Sequence, residues 1–325
     1  MQHGTHSKTW DLVTLGEALI EFNQTHADQP QYLQGFGGDT SNAAIAAARA
    51  GARTAYLTRV GQDAFGDALL SLWQREGVDH AAVQRDASQP TGIYFVTHGE
   101  AGHQFSYLRT GSAASHMTPA WAETAPALQR LQDCRLLMVS GISLAISPTA
   151  CDTALAAMRI ARAAGAQVAL DSNLRLKLWP LERARACIAH AVSLCDIFLP
   201  SLEDMQALTG LTAPQDILNW SHTRGAATVV LKLGAEGCMV STRQDEGLYT
   251  STRIAGRPVA LADATGAGDC FDGNLLARLA QGNDITTAAR YANAAAALAV
   301  QGYGAVAPLP YAAQVNATLV KEAMA

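Results

Sequence analysis

Asp263-Ala264-Thr265-Gly266-Ala267-Gly268-Asp269 sets two glycines and two carboxylates in one short turn. An apolar run of Cys270, Phe271, Gly273, Leu275, Leu276 and Leu279 follows directly. That order predicts a glycine-rich loop opening a helix. Unpaired N–H groups at a helix N-terminus attract anions. Asp269 stands at the mouth of such a site, where a carboxylate takes the proton of an attacking hydroxyl. The loop therefore points to phosphoryl transfer, with amides neutralising phosphate charge. It lacks the Gly-Lys-Ser/Thr ending of a Walker-type P-loop. A plainer reading stays open at this point: Asp263 or Thr265 caps the helix and the glycines only turn the chain.

Outward from this loop, short apolar strands alternate with helices. Strands are predicted at Leu12–Gly16, Thr54–Val60, Leu136–Ser140, Gln167–Asp171, Asp196–Leu199 and Thr228–Leu233. Helices are predicted at Ser41–Ala50, Ala64–Glu76, Pro148–Ala164, Leu181–Val192 and Leu202–Leu208. Such alternation indicates a mostly parallel sheet covered on both faces, with ligands at the carboxyl ends of the strands. Asp171, Ser201, Gly234 and Asp263 fall there, so one cleft is expected to gather them. Ile93–Thr97 and Gln104–Arg109, joined by His98-Gly99-Glu100-Ala101-Gly102, read as a β-hairpin inserted in the α/β chain, a candidate lid.

The 325 residues suffice for one large α/β domain, and 49% hydrophobic with 16% charged residues is an ordinary globular balance. A net charge of −5 without a long basic run argues against a nucleic-acid partner. No stretch reads as a membrane span. Residues 1–10 are polar and read as a disordered leader. Six cysteines without a C-x-x-C pair read as buried reduced thiols, which fits a cytoplasmic protein.

Four further constellations carry polar chemistry. Gly35-Phe36-Gly37-Gly38-Asp39-Thr40-Ser41-Asn42 is a second glycine-rich helix entry: the glycines admit a ligand to the backbone, and Asp39 and Asn42 suit sugar hydroxyls. Alternatively, Asp39 or Ser41 caps the helix. Tyr107 and Arg109 alternate on one strand and share a side, where they could hold a carboxylate or phosphate, or simply form an exposed edge. Asp171-Ser172-Asn173-Leu174-Arg175 follows a strand, as a cleft loop or a solvated turn. Lys232-Leu233-Gly234-Ala235-Glu236-Gly237 reads as a tight hairpin turn first and a nucleotide contact second. Asn293, in a helix of alanines, either lines a nucleotide pocket or is a satisfied core amide.

In their order along the chain these features resemble the ribokinase-like (phosphofructokinase-B-type) sugar kinase family, over about Asp11 to Leu309. Residues 263–269 match its D-T-x-G-A-G-D signature, with Ala264 where threonine is common. Gly37-Gly38-Asp39 with Asn42 matches its N-terminal glycine pair and asparagine, and 232–237 its nucleotide-side strand and turn. The resemblance implies a Rossmann-like three-layer α/β/α sandwich with a mostly parallel sheet and a small β-sheet lid. It makes 11–325 a single kinase domain, with lid strands inserted at about 17–34 and 82–112. It implies ATP as donor with Mg²⁺, Asp269 as base, and Gly266, Ala267 and Gly268 as anion hole. Nucleotide contacts fall on Asn173, Arg175, Lys232, Gly234, Gly237, Gly266, Gly268 and Asn293. Sugar contacts fall on Gly37, Gly38, Asp39, Asn42, Tyr107, Arg109 and Arg175. Where relatives carry Asn-x-x-Glu, this chain has Ser201-Leu202-Glu203-Asp204, leaving Asp204 as the metal-side carboxylate.

Within the family, Gly37-Gly38-Asp39-Thr40, Tyr107-x-Arg109 and Asn173-x-Arg175 are similar to 2-keto-3-deoxygluconate kinases, and two arginines suit a sugar acid's carboxylate. The expectation is phosphorylation of that sugar acid to its 6-phosphate. A fructokinase or ribokinase acting on a neutral sugar is the alternative, and a catalytically idle sugar or nucleotide sensor a reading from another class. A lid of β-strands also exposes an edge that a second subunit could cover, giving a homo-oligomer.

Overall fold

Apolar runs that are buried on both faces build the central sheet. In the computed structural model, which describes residues 8–323 apart from 28, 100–101 and 245–247, the strands are β1 (Trp10–Leu15), β2 (Leu19–Gln24), β3 (Tyr32–Gly37), β4 (Thr54–Leu57), β5 (Arg59–Gly61), β6 (Gln84–Asp86), β7 (Ile93–Gly99), β8 (Gly102–Leu108), β9 (Cys134–Ser140), β10 (Gln167–Asp171), β11 (Ile197–Leu199), β12 (Thr228–Lys232), β13 (Gly237–Arg243) and β14 (Tyr249–Ala255). Most of the expected leader, residues 1–7, and the turn residues Glu100 and Ala101 lie outside the described residues.

Eight strands form one sheet in the order β14-β13-β12-β11-β10-β9-β1-β4. From β4 to β12 every pair is parallel, and β13 and β14 close one edge antiparallel. Alternate strand residues feed two cores. Leu12, Leu136 and Met138 face the helices 39–49, 267–280 and 285–299. Val13, Leu137 and Val139 face the helices 148–163 and 181–194. The fold is thus a three-layer α/β/α sandwich, as expected. Helices 39–49 and 267–280 pack closely because Gly273 leaves no Cβ to meet the Ala43 carbonyl. That contact sets the two glycine-rich helix entries side by side.

A separate four-stranded sheet runs β3-β2-β7-β8. The expected Thr54–Val60 strand divides instead: β4 stays in the main sheet and β5 leaves it to pair with β6. The 84–86 stretch therefore does not join the small sheet, whose strands span 19–37 and 93–108. Lys232 to Gly237 forms the turn between antiparallel β12 and β13, with φ of +58° at Gly234 and +96° at Gly237, values that glycine adopts without strain.

Candidate active site

Two helices at the carboxyl end of the sheet begin on glycine rather than on a capping side chain. Helix 267–280 starts after Gly266 (φ +74°) and helix 39–49 after Gly38 (φ +110°), and neither has a side-chain cap. The capping alternatives for Asp263, Thr265, Asp39 and Ser41 therefore fall away. Asp263 instead anchors the loop, accepting from Thr265 N (2.9 Å), Thr265 Oγ1 (2.7 Å) and Gly304 N (2.9 Å). Of the first-turn amides after Gly266, that of Ala267 donates to the Ala264 carbonyl at 3.2 Å, which leaves those of Gly268 and Asp269 for a ligand. Outside its own helix, the atom nearest to a Cβ built on Gly268 is Lys232 Nζ at 3.7 Å, so the cradle is open above this glycine.

Asp269 follows at once. Its Oδ2 accepts from Asn42 Nδ2 at 2.8 Å, across the two packed helices. Burial, and then the Asp39 carboxylate, push its pKa up to about 7 against the opposing pull of Asn42 and Lys232. A carboxylate in that range suits a general base near neutral pH. Asn42 Oδ1 is buried with no hydrogen-bond partner. Such an acceptor costs about 1–3 kcal/mol unless something donates to it, and a sugar hydroxyl would.

Asp39 is buried beside them, its Oδ2 accepting from Ser140 Oγ and from Asn173 Nδ2 at 3.3 Å. Burial holds its carboxyl above the usual range. Register brings these groups together: Ser140 and Asp171 are paired Cα positions at the ends of β9 and β10. Asn173, expected on the nucleotide side, thus touches Asp39, which was placed on the sugar side. It is also the one described non-glycine residue with positive φ, the sort of backbone strain that collects at functional sites.

Lys232 is not a solvated loop cation. Its Nζ donates to Asp171 Oδ1 (3.0 Å) and to both oxygens of Asp272 (3.1 and 2.9 Å). Asp204 accepts through Oδ2 from Ser172 Oγ (2.8 Å) and Leu174 N (3.1 Å), and its own N–H donates to Ser201 Oγ (3.1 Å). Ser201 is thus the cap of helix 202–209. Arg175 Nη1 stands 3.9 Å from Asp204 Oδ1, on a half-exposed side chain. Asn293 Nδ2 donates to the Ala255 carbonyl at 3.4 Å and borders a small pocket with Arg253, Arg257 and Arg290.

Several site residues escaped the sequence reading. Glu17, 1% exposed, ties up Arg109: Arg109 Nε donates to Glu17 Oε2 at 2.7 Å, Nη2 donates to the same oxygen, and Ser112 Oγ donates to Oε1. Tyr107 and Arg109 do share a side, with Arg109 Cζ 5.8 Å from the Tyr107 ring. The guanidinium charge, however, is already matched by a buried carboxylate. Tyr94 stacks on Tyr107 at 5.7 Å and donates to Glu21 Oε2. A Cβ on Gly37 would run into the Tyr94 phenol, and one on Gly38 into the Glu17 carbonyl. The available signal for Glu17 and Glu21 was a carboxylate within the otherwise apolar Leu15–Phe22 segment.

Residues 9–312 match the model of the pfkB family carbohydrate kinases. The 2-dehydro-3-deoxygluconokinase of Escherichia coli K12 is 32% identical over 303 residues, covering 91% of this chain and 97% of that protein. Fructokinase-1 of Oryza sativa is also 32% identical, over 315 residues, 92% of this chain and 94% of that one. The crystal structure of a fructokinase from Xylella fastidiosa with bound ATP superposes with a TM-score of 0.85 at 25% identity, covering 96% and 99% of the two chains. With a glycine-started helix carrying Asp269 and a family match along nearly its whole length, the chain belongs to the pfkB family of carbohydrate kinases.

Proposed function

We propose that this kinase transfers the γ-phosphoryl group of ATP to the terminal hydroxyl of 2-keto-3-deoxygluconate, giving the 6-phosphate. The Asp269–Asn42 pair carries the reading: a buried carboxylate with raised proton affinity next to an acceptor that lacks a donor. The hydroxyl's proton passes to Asp269 as the oxygen attacks. The amides at Gly266 and Gly268 receive the phosphoryl charge, joined by that of Ala267 once it leaves the Ala264 carbonyl, and Gly234, Gly237 and Asn293 flank the nucleotide. Gly37, Gly38 and Asp39 seat the sugar below Tyr107, with Asn173 bonded to Asp39.

Magnesium binds through few protein oxygens plus phosphates and water. Asp204 accepts from Ser172 Oγ and Leu174 N through Oδ2, and its Oδ1 fits as one such oxygen donor. The ion would neutralise phosphate charge when bound. Arg175, half-exposed with its Nη1 3.9 Å from Asp204 Oδ1, is the cation for the substrate carboxylate. One observation favours a neutral sugar such as fructose as the second reading: Glu17 already neutralises Arg109.

ADP release measured across sugars and sugar acids tests this, with the keto-deoxy acid expected to be preferred. Preference for fructose or ribose would hand the assignment to the second reading, and no turnover with any sugar would leave a sensor. Arg175→Ala should raise KM for the sugar acid roughly 10–100-fold, the value of a charge-assisted bond, and leave fructose use unchanged. An equal effect on both would remove Arg175 from carboxylate recognition.

Gly268→Ala separates cradle from fold. The cradle accommodates a methyl group sterically, and alanine suits a helix better than glycine, so the melting temperature should hold or rise. The methyl nevertheless sits where phosphate must approach, and kcat/KM for ATP should fall about 10²-fold. Unchanged kinetics would place the phosphate elsewhere.

We also propose that the small sheet acts as the lid and as the subunit contact. Leu33 and Leu108 are 69% and 65% exposed on it. Light scattering after gel filtration should give a dimer or larger assembly, and Leu33→Asp with Leu108→Asp a monomer. No helix among the described residues is long and apolar enough to cross a membrane, and six free cysteines suit a reducing cytoplasm.

A further inference from the structure

Asp272 lies one turn beyond Asp269 on the helix 267–280, fully buried. A carboxylate there is expensive to desolvate unless a cation meets it. Lys232 does so with the same ammonium that reaches Asp171, and three oxygens occupy its donors. The two carboxylates approach from different elements, Asp171 from the end of β10 and Asp272 from the helix that carries the cradle. Asp171 Oδ1 also accepts from Asn173 N at 3.2 Å, which fixes that side of the cluster. A lysine side chain has four flexible bonds. With Asp171 as its lone anchor the ammonium could swing, whereas the two-oxygen grip of Asp272 pins it 3.7 Å from the open position above Gly268.

We infer that Asp272 is a positioning residue, holding the Lys232 ammonium beside Gly268 so that its charge faces the phosphoryl group in transfer. This rests on the reading of the Gly266–Gly268 amides as the phosphate cradle. The arrangement also keeps the lysine charged: burial alone would pull its proton off, and Asp171 and Asp272 outweigh that pull. The whole neighbourhood is consistent with this assignment. Asp171 and Asp269 face the cluster as like charges. Asp39 raises Asp269, while Asn42 and Lys232 oppose it.

Asp272→Asn, nearly isosteric, is the test, in the full-length protein with ATP and the preferred sugar. kcat should fall at least about tenfold, part of the 10²–10³ attached to an electrostatic donor in such a site, with KM for the sugar unchanged. A cluster that only glues the helix to the sheet predicts a lower melting temperature with kcat in place, and that result overturns the inference. Lys232→Gln is then compared with Lys232→Gln/Asp272→Asn, a comparison that still serves if Asp272→Asn alone does not fold. Equal kcat values support action through Lys232, and a further drop in the double variant overturns it. A wild-type protein inactive on every sugar defeats the kinase reading itself, whereas an active wild type with a normal Asp272→Asn defeats this inference alone.

Discussion

Asp269→Asn is expected to lower kcat by about 10²–10⁴-fold, the contribution of a positioned general base, with little change in KM for ATP or sugar. Asparagine keeps the size and a hydrogen-bonding oxygen, so Asn42 retains a partner and the helix start is undisturbed. What disappears is the capacity to take a proton from the attacking hydroxyl. The same residue sets the pH dependence. With its pKa pushed up to about 7 by burial and by the Asp39 carboxylate, Asp269 is protonated below that pH and ionised above it. kcat/KM should therefore rise through an acid limb near pH 7 and level off above it, and Asp269→Asn should lose the limb. Turnover within a few-fold of wild type, or an acid limb that persists in the variant, would remove Asp269 from the role of base.

Lys232→Met is expected to cost about 3–5 kcal/mol of folding stability, the usual consequence of removing one partner from a buried ion pair. The side chains of Lys232, Asp171 and Asp272 are 13%, 5% and 0% exposed, so water screens the abandoned carboxylates poorly. Against a typical total of about 5–15 kcal/mol this is a large fraction, visible as a lower urea midpoint. The sign with pH follows. Burial without a cation raises the folded-state pKa of Asp272 above its unfolded value, so the protonated form favours folding. That contribution is present at acid pH and lost as pH rises through the folded pKa. The variant should thus be relatively more stable in acid than at neutral pH. Lys232→Met/Asp272→Leu should recover part of the loss, since one carboxylate no longer lacks its partner. A Lys232→Met midpoint equal to wild type would show that the cluster contributes nothing to the fold.

The two predictions draw on different kinds of information. Asp269 was legible because its chemistry is local: a loop, two glycines, a carboxylate and the helix that follows are contiguous. The same holds for Gly37-Gly38 with Asp39 and Asn42, and for the hairpin turn at Gly234–Gly237. The strands of the main sheet were legible because residues buried on both faces leave continuous apolar runs. The break of the Thr54–Val60 run was not, since β5 is drawn off by a partner strand at 84–86 that no local pattern announces.

The charge partners were illegible for the same reason. Arg109 read as a cation for a substrate carboxylate or phosphate, and Lys232 as part of a turn or nucleotide contact, because a sequence shows a charge without what neutralises it. Glu17 lies 92 residues from Arg109, and Asp171 and Asp272 lie 61 and 40 residues from Lys232. Asn173, read as a nucleotide contact, donates to Asp39, 134 residues away. Sequence alone therefore determined the layered α/β architecture, the glycine-started helices and the carboxylate at the head of one of them, since each follows from neighbouring residues and the periodicity of burial. Tertiary structure alone decided that Glu17 neutralises Arg109 and which aspartates hold Lys232. Ion pairing in a buried site depends on distance in space and on desolvation, and neither is written along the chain.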